Sequence, residues 1–276
     1  MTYPQIAEAI RILNLEPRIV VLNNDQDRDP GFLLRSIVYA YLSARIPILL
    51  GVDLFAVNRS EDGNIIESEV KSLGHHGVAV TGFSFADTDT NQHRLSDYMD
   101  FRSERIEKLF VHDDQVGPFA RMNFCQDSFG TYLSTSWKEG GFDEVVARYT
   151  HVVVPLYHKI RIPLKQVLDI ISDFNEIPSA VNDTELSSTL GVPWTWDIRL
   201  SFSNEVKSEV AKLNDDVISP SERVEILTQS LPKYLWRATA IDVAGEKKID
   251  LLFDATDIVQ GESLSRAIEY LSLIHI

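Results

Sequence analysis

The stretch Gly74-His75-His76-Gly77-Val78-Ala79-Val80-Thr81-Gly82-Phe83, read together with Leu109-Phe110-Val111-His112-Asp113-Asp114-Gln115-Val116-Gly117-Pro118, decides how the first half of the chain is organised. In both segments titratable side chains adjoin an apolar run of strand length. Val78 and Val80 alternate with small residues, and Ile106, Leu109, Phe110 and Val111 lead into an acidic pair, which predicts two neighbouring strands of one sheet. A histidine on one strand and an aspartate at the end of the next can then meet in space. Taken separately, the histidines read as strand-end residues and Asp113 and Asp114 as the opening of a turn. Taken together they have a chemical use. An imidazole acting as general base needs a partner on its other nitrogen, and a carboxylate both fixes the tautomer and stabilises the imidazolium.

The upstream order is helix, strand, helix, strand. Tyr3 to Leu15 reads as an amphipathic helix with Ile6, Ala9, Ile10 and Leu13 on one face. The apolar run Arg18-Ile19-Val20-Val21-Leu22 follows as a strand. Asp29-Pro30 predicts an N-cap with proline in the first turn, opening a helix through Leu33, Ile37, Tyr41 and Leu42. Ile46 to Asp53 then reads as an apolar strand.

On these motifs, roughly residues 1–125 resemble the papain-like cysteine peptidases, most closely the bacteriocin-processing type that cleaves double-glycine leaders. Members of that group carry a Gly-His-x-Val-x-Val-x-Gly-aromatic strand and a later strand ending Asn-Asp-Pro-x-x-Gly. Counting back from Gly82 matches the family histidine to His76, and counting back from Gly117 matches the family aspartate to Asp113. His112 stands where the family has Asn, and Asp114 where it has Pro. The resemblance implies an α+β chain. Residues 1–127 would form a partial papain-like domain, an antiparallel sheet with helices, in a bacterial, cytoplasmic hydrolase acting on a peptide or protein. In that reading His76 and Asp113 are the catalytic residues, and no cofactor or metal is involved.

The nucleophile departs from the pattern. Family members place a Gln and then the Cys near the start of the domain, on a helix whose N-terminus lowers the thiol pKa. Here the sole cysteine, Cys125, follows the Asp motif and reads as a small buried hydrophobe. The expectation is an N-terminally incomplete domain whose cysteine region precedes Met1, leaving an exposed apolar patch near Ile6, Ile10, Val78 and Val80. The other end supports clipping. Leu271-Ser272-Leu273-Ile274-His275-Ile276 is the translation of a transposon end ligated onto fragments in sequencing libraries, so residues 271–276 read as a non-native tail.

Composition narrows the classes. With 44% hydrophobic and 24% charged residues, the chain is globular rather than disordered. No apolar run has the length of a membrane span, which argues against a membrane partner. A net charge of −15, with lysines and arginines scattered among acids, argues against nucleic acid. A single cysteine fits a reducing compartment. Neither a Walker loop nor Gly-x-Gly-x-x-Gly occurs. Asp87-Thr88-Asp89-Thr90-Asn91 starts like a calcium loop but has Gln92 where the sharp turn needs glycine and Tyr98 where a bidentate Glu should stand, so it reads as a solvated loop. Asn58-Arg59-Ser60 and Asn182-Asp183-Thr184 match a glycosylation pattern that carries little weight without a secretion signal.

A second α+β domain of unknown function is expected over residues 142–270, after a Ser-, Thr- and Gly-rich connection from Ser128 to Gly141. Its signals are a strand over Val152 to Tyr157, a helix over Leu164 to Phe174, and alternation from Trp194 to Phe202. A capped helix opens at Ser219-Pro220-Ser221-Glu222, and a hairpin turns at Ala244-Gly245-Glu246. Asp254 reads as a turn cap, and Trp137, Trp194, Trp196 and Trp236 as core.

Three functional readings follow. The first is a fragment of a papain-like cysteine peptidase, in which a thiolate attacks a peptide carbonyl, His76 shuttles the proton and Asp113 orients His76. The second is a non-catalytic peptide-binding module of the same fold. The third is a metal-dependent hydrolase using His75, His76, His112, Asp113 and Asp114. It is weakened because adjacent strand residues face opposite ways.

Overall fold

The computed structural model describes residues 3–22, 30–86, 99–180, 194–258 and 263–270. In chain order the elements are α1 (Tyr3–Ile12), β1 (Glu16–Val21), α2 (Pro30–Ser43), β2 (Ile48–Val57), β3 (Lys71–Phe85), β4 (Met99–Phe101), β5 (Ile106–Asp113), β6 (Gly117–Asp127), β7 (Gly130–Ser134), β8 (Glu144–Leu156), α3 (Leu164–Ala180), β9 (Trp194–Phe202), α4 (Ser203–Val210), α5 (Pro220–Thr228), β10 (Tyr234–Ile241), β11 (Lys247–Asp254) and β12 (Leu264–Glu269). Helices and largely antiparallel sheets segregate as in an α+β chain. Among the described residues no helix is long and apolar enough to cross a membrane.

Two compact units form, Met1–Thr90 with Arg105–His158, and Asn91–Glu104 with Lys159–Ile276. This corrects the expected division at residue 127. The supposed connection contains β7, and both β7 and β8 belong to the first sheet. The Val152 to Tyr157 strand signal is the end of β8, so a strand assigned from sequence to the second domain completes the first unit.

In the first unit the strand order is β1-β8-β2-β3-β5-β6-β7, with β7 also paired to β8 through Leu133↔Ala147 and Ser134↔Val146. That pairing closes a six-stranded antiparallel meander, β2-β3-β5-β6-β7-β8, and β1 lies beside the far half of β8. The expected adjacency of the two motif strands holds, since β3 pairs with β5 through Val80↔Val111 and Phe83↔Leu109. Alternation then aims one set of side chains inward. Ile48, Leu50, Val52 and Leu54 of β2, Val78 and Val80 of β3, and Leu109 and Val111 of β5 are all buried. Helix α2 reads Gly31-Phe32-Leu33-Leu34-Arg35-Ser36-Ile37-Val38-Tyr39-Ala40-Tyr41 and is buried at each of these positions. Such an all-round apolar helix needs cover on every side, and α2 contacts β2, β3 and β7, strands from different parts of the sheet. Its one charged residue, Arg35, is satisfied by donating Nε to the Ile106 carbonyl at 2.8 Å and lying over the Phe124 ring.

Both α1 and α2 end in the same device. Asn14 and Arg45 take left-handed φ values of 63° and 60°. Leu15 N donates to Ile10 O, and Ile46 N to Tyr41 O, the paired closure that satisfies the last carbonyls of a helix. The inward face of α1 is narrower than its periodicity predicts. Ala7 and Ile10 are buried, whereas Ala9 and Leu13 are exposed. The expected apolar patch is also corrected, because Ile10, Val78 and Val80 are buried and Ile6 is partly so.

The second unit is a five-stranded sheet, β12-β11-β10-β9-β4, antiparallel except for β4 beside β9. Seven consecutive residues of β10, Tyr234 to Ala240, are buried, so both of its faces are covered. Leu235 and Leu252 pack with Val206 and Val210 of α4 and Ile226 of α5. On the opposite face Trp236 donates Nε1 to Ile162 O at 2.9 Å. Ser219 caps α5 as expected, its Oγ accepting from Glu222 N at 3.2 Å. Asp254 accepts from the Thr256 backbone and hydroxyl, so it is a turn cap. Asp29, the calcium-like loop 87–98, the Asn182 motif and the tail 271–276 lie outside the described residues.

Candidate functional site

Strand β3 brings His76 opposite Val52 of β2, one position along from His75 and therefore on the other side of the sheet. His75 is exposed and paired with Asp53 on the outer surface. His76 faces inward, with its side chain 13% exposed. Asp113 ends β5 and faces the same way, with its side chain 5% exposed. His76 Nε2 lies 3.3 Å from Asp113 Oδ2 and 3.6 Å from Asp114 Oδ1. Proximity is not yet a hydrogen bond, because His76 Nε2 is a buried atom with no hydrogen-bond partner.

Asp113 also does what its turn position suggests. Its Oδ1 accepts from Gln115 N at 2.8 Å and Val116 N at 3.1 Å, opening the hairpin into β6. Gly117 closes that hairpin opposite Asp113 at φ 111°, a conformation a side chain would strain. The turn and the buried pair thus share one carboxylate.

Trp137 completes the arrangement. Its Nε1 donates to Asp113 Oδ2 at 2.9 Å, and its ring meets His76 edge-on at a centroid distance of 4.8 Å. The indole is placed by the chain just after β7, where Thr135 Oγ1 donates to Val145 O and accepts from Trp137 N. By residue type alone Trp137 reads as core, like the other three tryptophans. The signal that set it apart was its place in a polar Ser/Thr stretch rather than at strand spacing.

Burial opposes ionisation of Asp113, but the Trp137 indole N–H, the Gln115 and Val116 backbone N–H groups and the neighbouring His76 outweigh it and hold the carboxyl below its usual value. The carboxylate is therefore poised as an anion beside an imidazole. His76, Asp113 and Trp137 line a cavity of about 10 Å³ with Val52, Leu54 and Val78. That is room for about one water molecule. The Thr135 and Ser136 segments border it as well.

Three of the five residues considered as metal ligands come together and two do not. His76, Asp113 and Asp114 offer ligand atoms all within 4.8 Å of one another. His75 is engaged with Asp53, and His112 is exposed against the Phe119 ring. Cys125 is elsewhere. It pairs with Tyr132 on β7 and packs against Val57, Ile65, Tyr132 and Val146, and burial pushes its thiol pKa up. Among the described residues no thiol stands beside His76. Compared with known proteins, the chain matches no protein-family model, no curated protein and no solved structure.

Proposed function

We propose that this chain carries the base and orienting carboxylate of a papain-like thiol hydrolase acting on peptide bonds, the attacking thiol being one that the described residues do not place beside His76. The observation that carries the reading is the 3.3 Å approach of His76 Nε2 to Asp113 Oδ2 between two inward-facing side chains. With Nε2 turned to the carboxylate, Nδ1 is the nitrogen left to act as base. In the reaction Nδ1 takes the thiol proton, and the thiolate attacks the peptide carbonyl. The imidazolium then gives the proton to the leaving amine as the C–N bond breaks, water activated by the same imidazole hydrolyses the resulting thioester and restores the thiol, and Asp113 stabilises the cation in both halves without itself being protonated. The lowered Asp113 pKa suits that role. His76 and Asp113 are the catalytic pair in this reading.

A non-catalytic peptide-binding module is the second reading, and the placement of Cys125 in a separate cluster with Val57, Ile65, Tyr132 and Val146 favours it. Peptide hydrolysis by the gene product extended upstream decides between them. Thiol-dependent cleavage that falls by a factor of about 1000 or more in His76→Ala, as expected when one member of a catalytic unit is lost, supports the hydrolase. An extended product that binds peptide and never cleaves it supports the module. The chain of 276 residues on its own is expected to be inert.

A further inference from the structure

The two contacts of His76 Nε2 have a second geometric meaning. A four-coordinate zinc ion holds nitrogen and oxygen ligands at about 2.0–2.2 Å, so its ligand atoms stand about 3.3–3.6 Å apart. His76 Nε2 lies 3.3 Å from Asp113 Oδ2 and 3.6 Å from Asp114 Oδ1. These match two edges of such a coordination polyhedron, and the three ligand atoms all lie within 4.8 Å of one another. They are less suited to the direct hydrogen bond that the first distance suggests, since Nε2 is buried and unpartnered. We infer that His76 Nε2, Asp113 Oδ2 and Asp114 Oδ1 form a binding site for one zinc ion, and that zinc bound there silences His76 as a base.

The surrounding groups fit. A carboxylate oxygen has two lone pairs, so Asp113 Oδ2 can keep the Trp137 indole N–H and still bind a cation. The Gln115 and Val116 N–H groups fix the other oxygen of the same carboxylate. Outer-sphere donors of this kind orient ligands and sharpen metal affinity. Asp114, 78% exposed, supplies the ligand on the solvent side and lets the ion enter without opening the sheet. Three protein ligands leave a fourth position for water. One histidine with two carboxylates is a donor set that takes a borderline divalent ion.

The regulatory consequence follows from the tautomer. A neutral imidazole has one ring nitrogen with a free lone pair and one carrying hydrogen. Zinc on Nε2 uses that lone pair and leaves hydrogen on Nδ1, which can then donate but not accept. No proton is released and no oxidation state changes. This inhibitory effect rests on the hydrolase reading above, whereas the zinc site does not.

The test is calorimetric titration of the intact chain with zinc, in parallel with peptide hydrolysis by the upstream-extended product. One ion per chain is expected. His76→Ala and Asp114→Asn should each weaken binding at least about tenfold, the smallest loss typical even of outer-sphere partners, while His75→Ala and His112→Ala leave it unchanged. Asp114 is exposed, so Asp114→Asn keeps the fold, and far-ultraviolet circular dichroism verifies it. Cobalt in place of zinc should give visible absorption of tetrahedral intensity that is lost in Asp114→Asn. Absence of binding, or binding indifferent to both substitutions, overturns the site. Zinc should inhibit thiol-dependent hydrolysis reversibly, with Asp114→Asn less sensitive. Zinc-stimulated hydrolysis overturns the inhibitory role. Zinc bound at His76 in a product that never cleaves peptides leaves the site standing and removes the hydrolase reading alone.

Discussion

Trp137 donates its indole N–H to Asp113 Oδ2, the same oxygen that stands 3.3 Å from His76 Nε2. One carboxylate oxygen is thereby held between an aromatic donor and an imidazole, while its twin oxygen ties the β5–β6 turn. The pair at the centre of the site is fixed from three directions, by β3, by the hairpin and by the segment after β7.

Replacing Trp137 with Phe removes one donor to a buried carboxylate and should cost about 1.5–3 kcal/mol, the range for hydrogen bonds to charged groups. The sign with pH is set by Asp113, whose pKa is depressed in the folded chain. The stabilisation is fully present above the unfolded value of about 4 and is lost as pH falls through the folded value. Urea unfolding followed between pH 7 and pH 2 should therefore show a smaller acid loss in Trp137→Phe than in the parent. Equal acid profiles would remove the indole from the account.

Cys125 should be a slow thiol. Burial raises its pKa and so lowers its thiolate fraction at neutral pH. Iodoacetamide should alkylate it more slowly than a free cysteine at pH 8, by mass spectrometry, and Cys125→Ala should not alter zinc binding at His76. A hyper-reactive Cys125 would instead make it the candidate nucleophile.

In the second unit, Arg237 is 1% exposed and Asp250 fully buried. Arg237 Nε and Nη2 both donate to Asp250 Oδ2, Tyr270 Oη donates to that same oxygen, Thr239 donates to Oδ1, and Arg237 Nη1 reaches Glu209 at 2.7 Å. Burial works against the Asp250 charge, yet Arg237 and the two hydroxyls hold its pKa down. Arg237→Ala should cost about 3–5 kcal/mol by stranding a buried carboxylate, whereas replacing Arg237 and Asp250 together by Met and Leu should restore much of that loss. In a Trp137→Phe background the remaining tryptophans, Trp194, Trp196 and Trp236, all belong to this unit, so their emission in urea reports it. A loss below about 1 kcal/mol, the scale of an exposed pair, would show that the network contributes little.

Period-two alternation is a local property, and it was legible. It identified β3 and β5 as neighbours, set His76 apart from His75 by side of the sheet, and aimed His76 and Asp113 the same way. Chemistry confined to a few residues was equally readable, as with the Ser219 cap, the β10–β11 hairpin and the Asp254 turn. Sheet closure is not local. β7 pairs with β8 across a gap of polar residues that gives no periodic signal, and this pairing moved the unit boundary from 127 to 158 and brought Trp137 to Asp113. The amino-acid sequence by itself determined which side chains point inward along each strand, because backbone pleating dictates it. Only the tertiary structure decided which of them meet, because strand register and the path of the chain after β7 are set by pairings between distant residues.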